Sequence, residues 1–119
     1  MTKTNKKPKT IKRGDIFFIH KGVHKPQGAE MYPGRPAVVV TSDTNNKYNQ
    51  VIGVAYITTS TKKKPGPTHV PIQSKNKPGI VLCEQIHSVD KARVGDFISH
   101  VGHYDMKQID AALKKALEL

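Results

Sequence analysis

At residues 34–40 the chain reads Gly34-Arg35-Pro36-Ala37-Val38-Val39-Val40, and the rest of the predicted fold is organised around these residues. Four consecutive apolar residues, three of them β-branched, predict a strand that is buried on both faces. Pro36 favours an extended backbone at Arg35 and removes an N–H donor only where the strand begins, which is tolerated. Arg35 therefore stands at the entrance of a core strand, where its guanidinium can bind a phosphate or carboxylate through two hydrogen bonds. On this position alone, a surface or ion-paired arginine is an equally good interpretation.

Further segments on both sides of this stretch have the composition of strands. Apolar, β-branched runs bounded by turn residues predict strands at residues 16–19, 51–57, 69–72, 80–86 and 94–101. Pro71 restricts its strand to a sheet edge. Turn residues predict turns at 41–46 and 77–79, and two Gly and two Pro predict a long loop over 20–33.

The C-terminal segment has a different period. Apolar residues from Met106 to Leu117 recur on one helical face and predict an amphipathic helix over about residues 105–118. Asp105 and Gln108 have the spacing of a capping box at its start. Short strands followed by one helix predict a mainly β fold, a small curved sheet or barrel with that helix packed on it.

Composition limits the class of protein. The 119 residues carry a formal net charge of +11, which favours an anionic partner such as nucleic acid, although a solvated basic surface is the alternative. Residues 1–12 contain five lysines and little to bury, and they predict a disordered basic tail ahead of one domain, 13–119. A single cysteine, Cys83, excludes an intramolecular disulfide. With no signal peptide or membrane-spanning run, we expect a cytoplasmic protein.

The best candidate site combines two strand ends. Arg35 begins one core strand, and Thr58 and Thr59 end another. If these strands are antiparallel neighbours, the three residues lie at the same edge of the sheet, where a guanidinium and a hydroxyl can bind a phosphate. Without Arg35, Thr58 would be interpreted as an ordinary β-branched strand residue.

Other polar residues extend this hypothesis. The exposed basic loop Lys62, Lys63 and Lys64 is expected to contact phosphates, whereas the pair Glu84 and Gln85 is either structural or placed to read a base edge. The six histidines have no convincing partner in the sequence and stay unassigned. The sequence contains no carboxylate cluster that could hold Mg²⁺, so we expect no metal and no cofactor. RNA is then the natural substrate, because its own 2′-OH can act as the nucleophile.

Five motifs, in order and in register, resemble the MazF/PemK toxins over roughly residues 12 to 117. They are Arg13-Gly14-Asp15-Ile16-Phe17-Phe18, Gly34-Arg35-Pro36-Ala37-Val38-Val39-Val40, Val54-Ala55-Tyr56-Ile57-Thr58, Pro67-Thr68-His69-Val70 and Leu82-Cys83-Glu84-Gln85-Ile86. The resemblance implies an SH3-like, CcdB-like fold and a homodimer. It also implies a cytoplasmic toxin that an antitoxin with an acidic segment restrains, with DNA contacted only through that antitoxin.

The same resemblance implies an activity and its residues. Family members are mostly metal-independent, sequence-specific endoribonucleases that cut RNA and leave a 2′,3′-cyclic phosphate and a 5′-hydroxyl. Their catalytic arginine and threonine correspond to Arg35 and Thr58, and a further glutamate corresponds to Glu30. Their Glu-Gln pair, implicated in substrate contact, corresponds to Glu84 and Gln85. A non-catalytic gyrase inhibitor like CcdB and a plain RNA-binding barrel are the alternatives.

Overall fold

The computed structural model describes residues 10–21, 34–59 and 65–119. Its elements in chain order are β1 (Asp15–Ile19), β2 (Arg35–Val39), α1 (Asp43–Tyr48), β3 (Val51–Thr58), β4 (His69–Ser74), β5 (Lys77–Asp90), a 3₁₀ turn (Lys91–Arg93), β6 (Val94–His100) and α2 (His103–Leu117). The strands form one antiparallel sheet in the order β4-β5-β3-β2-β1-β6. The predicted mainly β fold with a C-terminal helix is therefore confirmed. The hydrogen-bonded sheet stays open, so it is a curved sheet and not a closed barrel.

The sheet is strongly curled, as the connection from β5 to β6 requires. Only the 3₁₀ turn joins these two strands, although β3, β2 and β1 lie between them in the sheet. The backbone N–H of Lys91 donates to the Gln50 carbonyl (2.9 Å), and His20 N–H donates to the Arg93 carbonyl (2.8 Å). The turn thus spans from the start of β3 to the end of β1. At the two edges of the sheet, the hydroxyl oxygens of Ser74 on β4 and Ser99 on β6 lie 3.0 Å apart.

Both faces of the central strands are buried. One face packs against α2, and we call its buried residues the helix-side core: Ile16, Val38, Ala55, Ile57, Val70, Ile72, Val81, Cys83, Val101, Ile109, Ala112 and Leu113. The other face includes residues flanking the 3₁₀ turn, and we call it the turn-side core: Ile11, Phe17, Ile19, Ala37, Val39, Ile52, Val54, Tyr56, Val89 and Val94. Neighbours along β1, β2 and β3 alternate between the two cores, because successive side chains of a strand point to opposite faces. This alternation explains the uninterrupted apolar runs of the sequence.

The predicted turn at 41–46 was wrong, because residues 43–48 form the short helix α1. The Ser42 hydroxyl accepts the N–H of Asn45 (3.1 Å) and caps the helix. Asn46 is buried, its amide nitrogen donating to the Thr41 carbonyl (2.9 Å) while its oxygen accepts the Thr41 hydroxyl (2.6 Å). The polar residues that indicated a turn therefore serve as the cap and the buried anchor of a helix.

Two other predicted boundaries were wrong. Helix α2 begins at His103 with Gly102 at its N-cap and no side-chain cap, so Asp105 lies in the first turn and forms no capping box. Strand β5 begins at Lys77, inside the predicted turn, and runs on to Asp90 instead of ending at residue 86. A two-residue turn, Lys75 and Asn76, precedes it.

The remaining strands match their predictions with small shifts. Strand β2 starts at Arg35 and not at residue 37, and β3 extends to Thr58. Strand β4 lies at a sheet edge, as Pro71 predicted.

The structure also differs from the prediction at the N-terminal boundary of the domain. Ile11 is buried in the turn-side core, and the Lys12 N–H donates to the Asp15 carboxylate (2.9 Å). These two residues therefore belong to the folded domain, whereas residues 1–9 of the predicted tail lie outside the described residues. Of the helices within the described ranges, none has both the length and the apolar composition that crossing a bilayer requires.

Ile109 tests how strongly the fold depends on α2. Its side chain is fully buried in the helix-side core. We expect Ile109→Ala to lower the free energy of unfolding by about 3 kcal/mol and Ile109→Val by about 1 kcal/mol, because the larger cavity loses more packing. Urea denaturation measures both values. Equal and small losses would show that α2 contributes little to the core.

Candidate active site

Arg35 and Thr58 lie at the same end of the neighbouring strands β2 and β3, two residues beyond the last pair of their ladder. This antiparallel ladder pairs Ala37 with Tyr56, and the same register continued by two residues places Arg35 opposite Thr58. Directly opposite residues have Cβ atoms about 5 Å apart and point to the same face of the sheet. Both side chains are half-buried at the end of the sheet. The two strands are thus antiparallel neighbours, which is the condition on which the sequence argument depended.

Two of the three arginines have clear structural partners. The Arg13 Nε donates to the Val40 carbonyl (2.7 Å), and its Nη1 lies 2.8 Å from Asp110 Oδ1, a close contact of opposite charges. The Arg93 Nε donates to the His20 carbonyl (3.0 Å). Within residues 10–21, 34–59 and 65–119, Arg35 forms no ion pair with a carboxylate. Arg35 is therefore placed differently from the two structural arginines.

Arg35 and Thr58 share the face of the turn-side core. Tyr56, two residues before Thr58, belongs to this core and is hydrogen-bonded to Arg93. Burial raises the pKa of the Tyr56 hydroxyl, and the nearby Arg93 charge and hydrogen bond oppose that shift. The ring of His87 packs edge-on against Tyr56, with 5.0 Å between centroids. We call the end of the sheet that carries Arg35 and Thr58 the rim. The rim thus adjoins a buried, hydrogen-bonded aromatic residue.

A bulge in β5 separates Glu84 and Gln85 from β3. Between the pairs Ala55–Ile86 and Ile57–Val81, β3 advances two residues while β5 advances five. Of the residues in between, Leu82 pairs with His69 at the start of β4, and the Cys83 N–H donates to the Thr68 carbonyl (3.0 Å). Bulges of this kind re-aim side chains and are frequent beside active sites.

Glu84 is held by the segment that enters β4. Its carboxylate accepts the Thr68 hydroxyl (3.0 Å) and lies 3.1 Å from His69 Nε2. The Gly66 N–H donates to His69 Nδ1 (2.9 Å), so Nδ1 carries no proton and the neutral ring donates to Glu84 through Nε2–H. We call Glu84, His69, Thr68 and Gly66 the β4 clamp. This partnership leaves no signal in the sequence, because it depends on how β4 aligns with β5.

The β4 clamp changes the interpretation of Glu84. Each carboxylate oxygen has a partner within the chain, so Glu84 positions the entry to β4. Its contact with RNA stays a prediction. Gln85 is half-buried on the same bulge. Thr59 is exposed immediately after β3. Glu30 and the loop Lys62, Lys63 and Lys64 lie outside the described residues.

Among the described residues, two histidines have carboxylate partners that the sequence did not predict. Besides His69, His100 Nδ1 lies 2.7 Å from Asp15 Oδ1. In the part of the chain that the structure describes, no group of three or more His, Cys, Asp or Glu side chains could hold a metal ion. Burial, followed by the neighbouring Glu84 charge, raises the pKa of the Cys83 thiol to about 11. Cys83 is therefore a protonated core residue and a poor nucleophile at neutral pH.

The β4 clamp predicts an acid-sensitive contribution to stability. Partial burial raises the pKa of Glu84, but hydrogen bonds from its own backbone, His69 and Thr68 together lower it below its ordinary value. A pKa that is lower in the folded state gives stability that is present at neutral pH and lost as the pH falls through the folded value. We therefore expect Glu84→Gln to be less stable than the wild type at pH about 7 and to lose less stability on acidification.

Urea denaturation at stepped pH measures this difference. Glu118→Gln is the matched control, since it removes an exposed carboxylate at the end of α2. If Glu84→Gln and the wild type had the same acid dependence, the clamp would contribute no net stability.

Comparisons with known proteins agree with this geometry. The family described as PemK-like, MazF-like toxin of type II toxin–antitoxin system matches residues 12–117. A protein from Staphylococcus epidermidis named endoribonuclease MazF is 35% identical over 113 residues, which cover 92% of each chain.

Solved structures show the same fold. MazF from Deinococcus radiodurans superposes with a TM-score of 0.78 at 18% identity, covering 93% of this chain and 99% of that one. An endoribonuclease in complex with its cognate antitoxin, from Mycobacterial species, has a TM-score of 0.73 at 23% identity and covers 92% and 95%. The predicted resemblance is confirmed, and the chain belongs to the PemK-like, MazF-like toxin family of type II toxin–antitoxin systems.

Proposed function

We propose that this chain is a metal-independent endoribonuclease toxin whose reacting phosphate lies between Arg35 and Thr58. The observation that carries the proposal is the antiparallel β2–β3 pairing, whose register, continued past Ala37–Tyr56, brings a guanidinium and a hydroxyl to the same end of the sheet. The 35% identical relative is named an endoribonuclease, which favours RNA cleavage over a gyrase-inhibitor or simple binding role. The net charge of +11 supports an RNA substrate, because a basic surface attracts the phosphate backbone.

The proposed reaction is a transesterification within the RNA. The 2′-oxygen attacks the adjacent phosphorus and loses its proton, while the bond from phosphorus to the 5′-oxygen breaks and that oxygen gains a proton. The products are a 2′,3′-cyclic phosphate and a 5′-hydroxyl. Arg35 stabilises the negative charge that builds on the phosphate oxygens, and the Thr58 hydroxyl hydrogen-bonds to the same group. Arginine scarcely deprotonates, so its role is electrostatic and it is not the general base.

Removing either side chain tests the assignment. We expect Arg35→Ala and Thr58→Val each to lower kcat by at least about 100-fold, because each removes a donor to the developing charge. The assay incubates purified protein, free of antitoxin, with mixed RNA in excess EDTA and identifies the new ends.

Thr44→Val is the control, since Thr44 is an exposed hydroxyl on α1. Circular dichroism checks that the variants fold. Full cleavage by either rim variant would remove that residue from the active site. If the wild-type protein cut no RNA under these conditions, the metal-independent nuclease would be refuted.

We also infer that two copies of the chain associate, with RNA crossing their interface. Three exposed apolar side chains, Ile86, Leu117 and Leu119, line one groove of about 490 Å³ between β5 and the end of α2. A second copy would cover this surface and remove apolar area from water. As a family toxin the chain is paired with an antitoxin, and an acidic antitoxin segment that lies over the basic surface and blocks Arg35 completes the proposal. These events are proposed to occur in the cytoplasm.

Sedimentation velocity at micromolar concentration tests the dimer. We expect a dimer for the wild type and about tenfold weaker association for Leu117→Lys, because a charge replaces buried apolar area. Ala111→Lys adds the same charge at an exposed position of α2 and should leave the association unchanged. A monomeric wild-type protein, or equal effects of the two variants, would contradict this interface.

A further inference from the structure

A second concave site lies beside the rim that carries Arg35 and Thr58. The cavity has a volume of about 200 Å³. The apolar part of its lining, which we call its floor, consists of Pro36, Ile57, Pro78 and Ile98. Ile57 and Ile98 pack in or against the helix-side core. Polar side chains complete its lining: Thr59, Ser74, Lys75 and Lys77. Binding pockets commonly combine an apolar floor with a few polar groups in this way.

The cavity adjoins the proposed active site, because residues next to each other in the chain line both. Pro36 follows Arg35, and Ile57 and Thr59 flank Thr58. Since successive side chains of a strand point to opposite faces, the cavity opens on the helix side of the same sheet end whose turn side carries the rim. One single strand of RNA that passes over this end of the sheet can therefore reach both places.

Lys75 reaches this cavity from an unfavourable backbone conformation. The two residues of the β4–β5 turn, Lys75 and Asn76, have φ values of +48° and +65°. Such turns favour Gly or Asn at both positions, and a lysine is uncommon there. The chain thus keeps a cation at the cavity where turn chemistry alone would select a smaller residue. An observed backbone outlier of this kind points to a functional role.

We propose that this cavity binds a nucleotide of the RNA next to the one that is cut. The base lies on the apolar floor, and the phosphate attached to it contacts Lys75 and Lys77. Hydroxyl groups can donate or accept, so Thr59 and Ser74 are suited to base edges, and Ser74 has bonding capacity beyond its contact with Ser99. The site would make the toxin select a base beside the cleavage point. This inference rests on the proposed endoribonuclease function.

The charges of the cavity favour RNA over other occupants. The described residues that line it include two lysines and no carboxylate. The hydroxyls suit the hydrogen-bonding edges of a base, which an apolar peptide side chain lacks. An acidic antitoxin peptide that inserts an apolar residue is the competing occupant.

The first test measures binding without cleavage. A short random-sequence 2′-O-methyl RNA cannot be cut, because its 2′-oxygen is blocked, and it is titrated into full-length protein labelled at the isoleucine methyl groups. We expect the Ile57 and Ile98 signals to shift on binding, whereas Ile52 in the turn-side core serves as the internal reference. Saturation with RNA without a shift at either cavity residue would overturn the proposal. A shift produced by an acidic peptide and not by RNA would assign the cavity to the antitoxin and would also overturn it.

The second test uses Lys75→Asn. Asparagine tolerates the turn conformation, so this variant should fold at least as well as the wild type. We expect KM for cleaved RNA to rise several-fold with kcat unchanged, and the slope of log affinity against log salt to fall by about 0.7, as for the loss of one single-strand phosphate contact. Lys107→Asn removes the same charge from an exposed position on α2 and is the matched control.

The outcomes separate this site from the proposed function. If the wild type cleaves RNA but Lys75→Asn and Lys107→Asn behave alike, the nucleotide site is wrong and the endoribonuclease stands. If the wild type cleaves nothing, the endoribonuclease is wrong, and the methyl titration still decides whether the cavity binds RNA.

Discussion

The pairing of β2 with β3 holds the centre of the sheet in a single register. Both strands are buried on both faces, so a slip of one residue would exchange the side chains of two different cores. Two-sided burial therefore fixes the register more strictly than a sheet with one solvated face would. The placement of Arg35 opposite Thr58 follows from this packing and needs no direct contact between the two side chains. The two residues of the proposed active site are thus positioned by apolar residues deeper in the sheet.

Much of the fold could be predicted from the sequence, because apolar runs bounded by turn residues report directly on buried strands. The predicted element boundaries were wrong where polar residues have specific hydrogen-bonding partners nearby in the chain. Ser42 and Asn46 stabilise a helix in a segment whose composition is typical of a turn. The composition of Lys77 and Pro78 predicts a turn, but both residues belong to strand β5 because they pair with β4 across the hairpin. Composition alone cannot distinguish these cases, since the same polar residues can end an element or can cap and pair within one.

The candidate site was predictable only in part, because some of its features depend on how strands distant in sequence lie against one another. Arg35 and Thr58 lie at strand ends, so their meeting follows from one assumption about strand order. The β4 clamp and the cavity near Lys75 depend on the bulge of β5 and on the curl that brings the sheet edges together, and neither feature leaves a periodic signal. The resemblance to a toxin family identified the Glu-Gln pair, but only the structure shows that Glu84 is held by His69 and Thr68.

The two edges of the sheet also bear on how this protein avoids self-association of the wrong kind. An open sheet offers unpaired backbone groups to any extended chain, and strand addition at such an edge leads to aggregates. Here β4 carries Pro71, which has no N–H to offer, and its last residue, Ser74, touches the opposite edge strand through Ser99. Each edge thus partly shields the other. The sheet can therefore stay open and curved without the tendency to aggregate that an unprotected edge would bring.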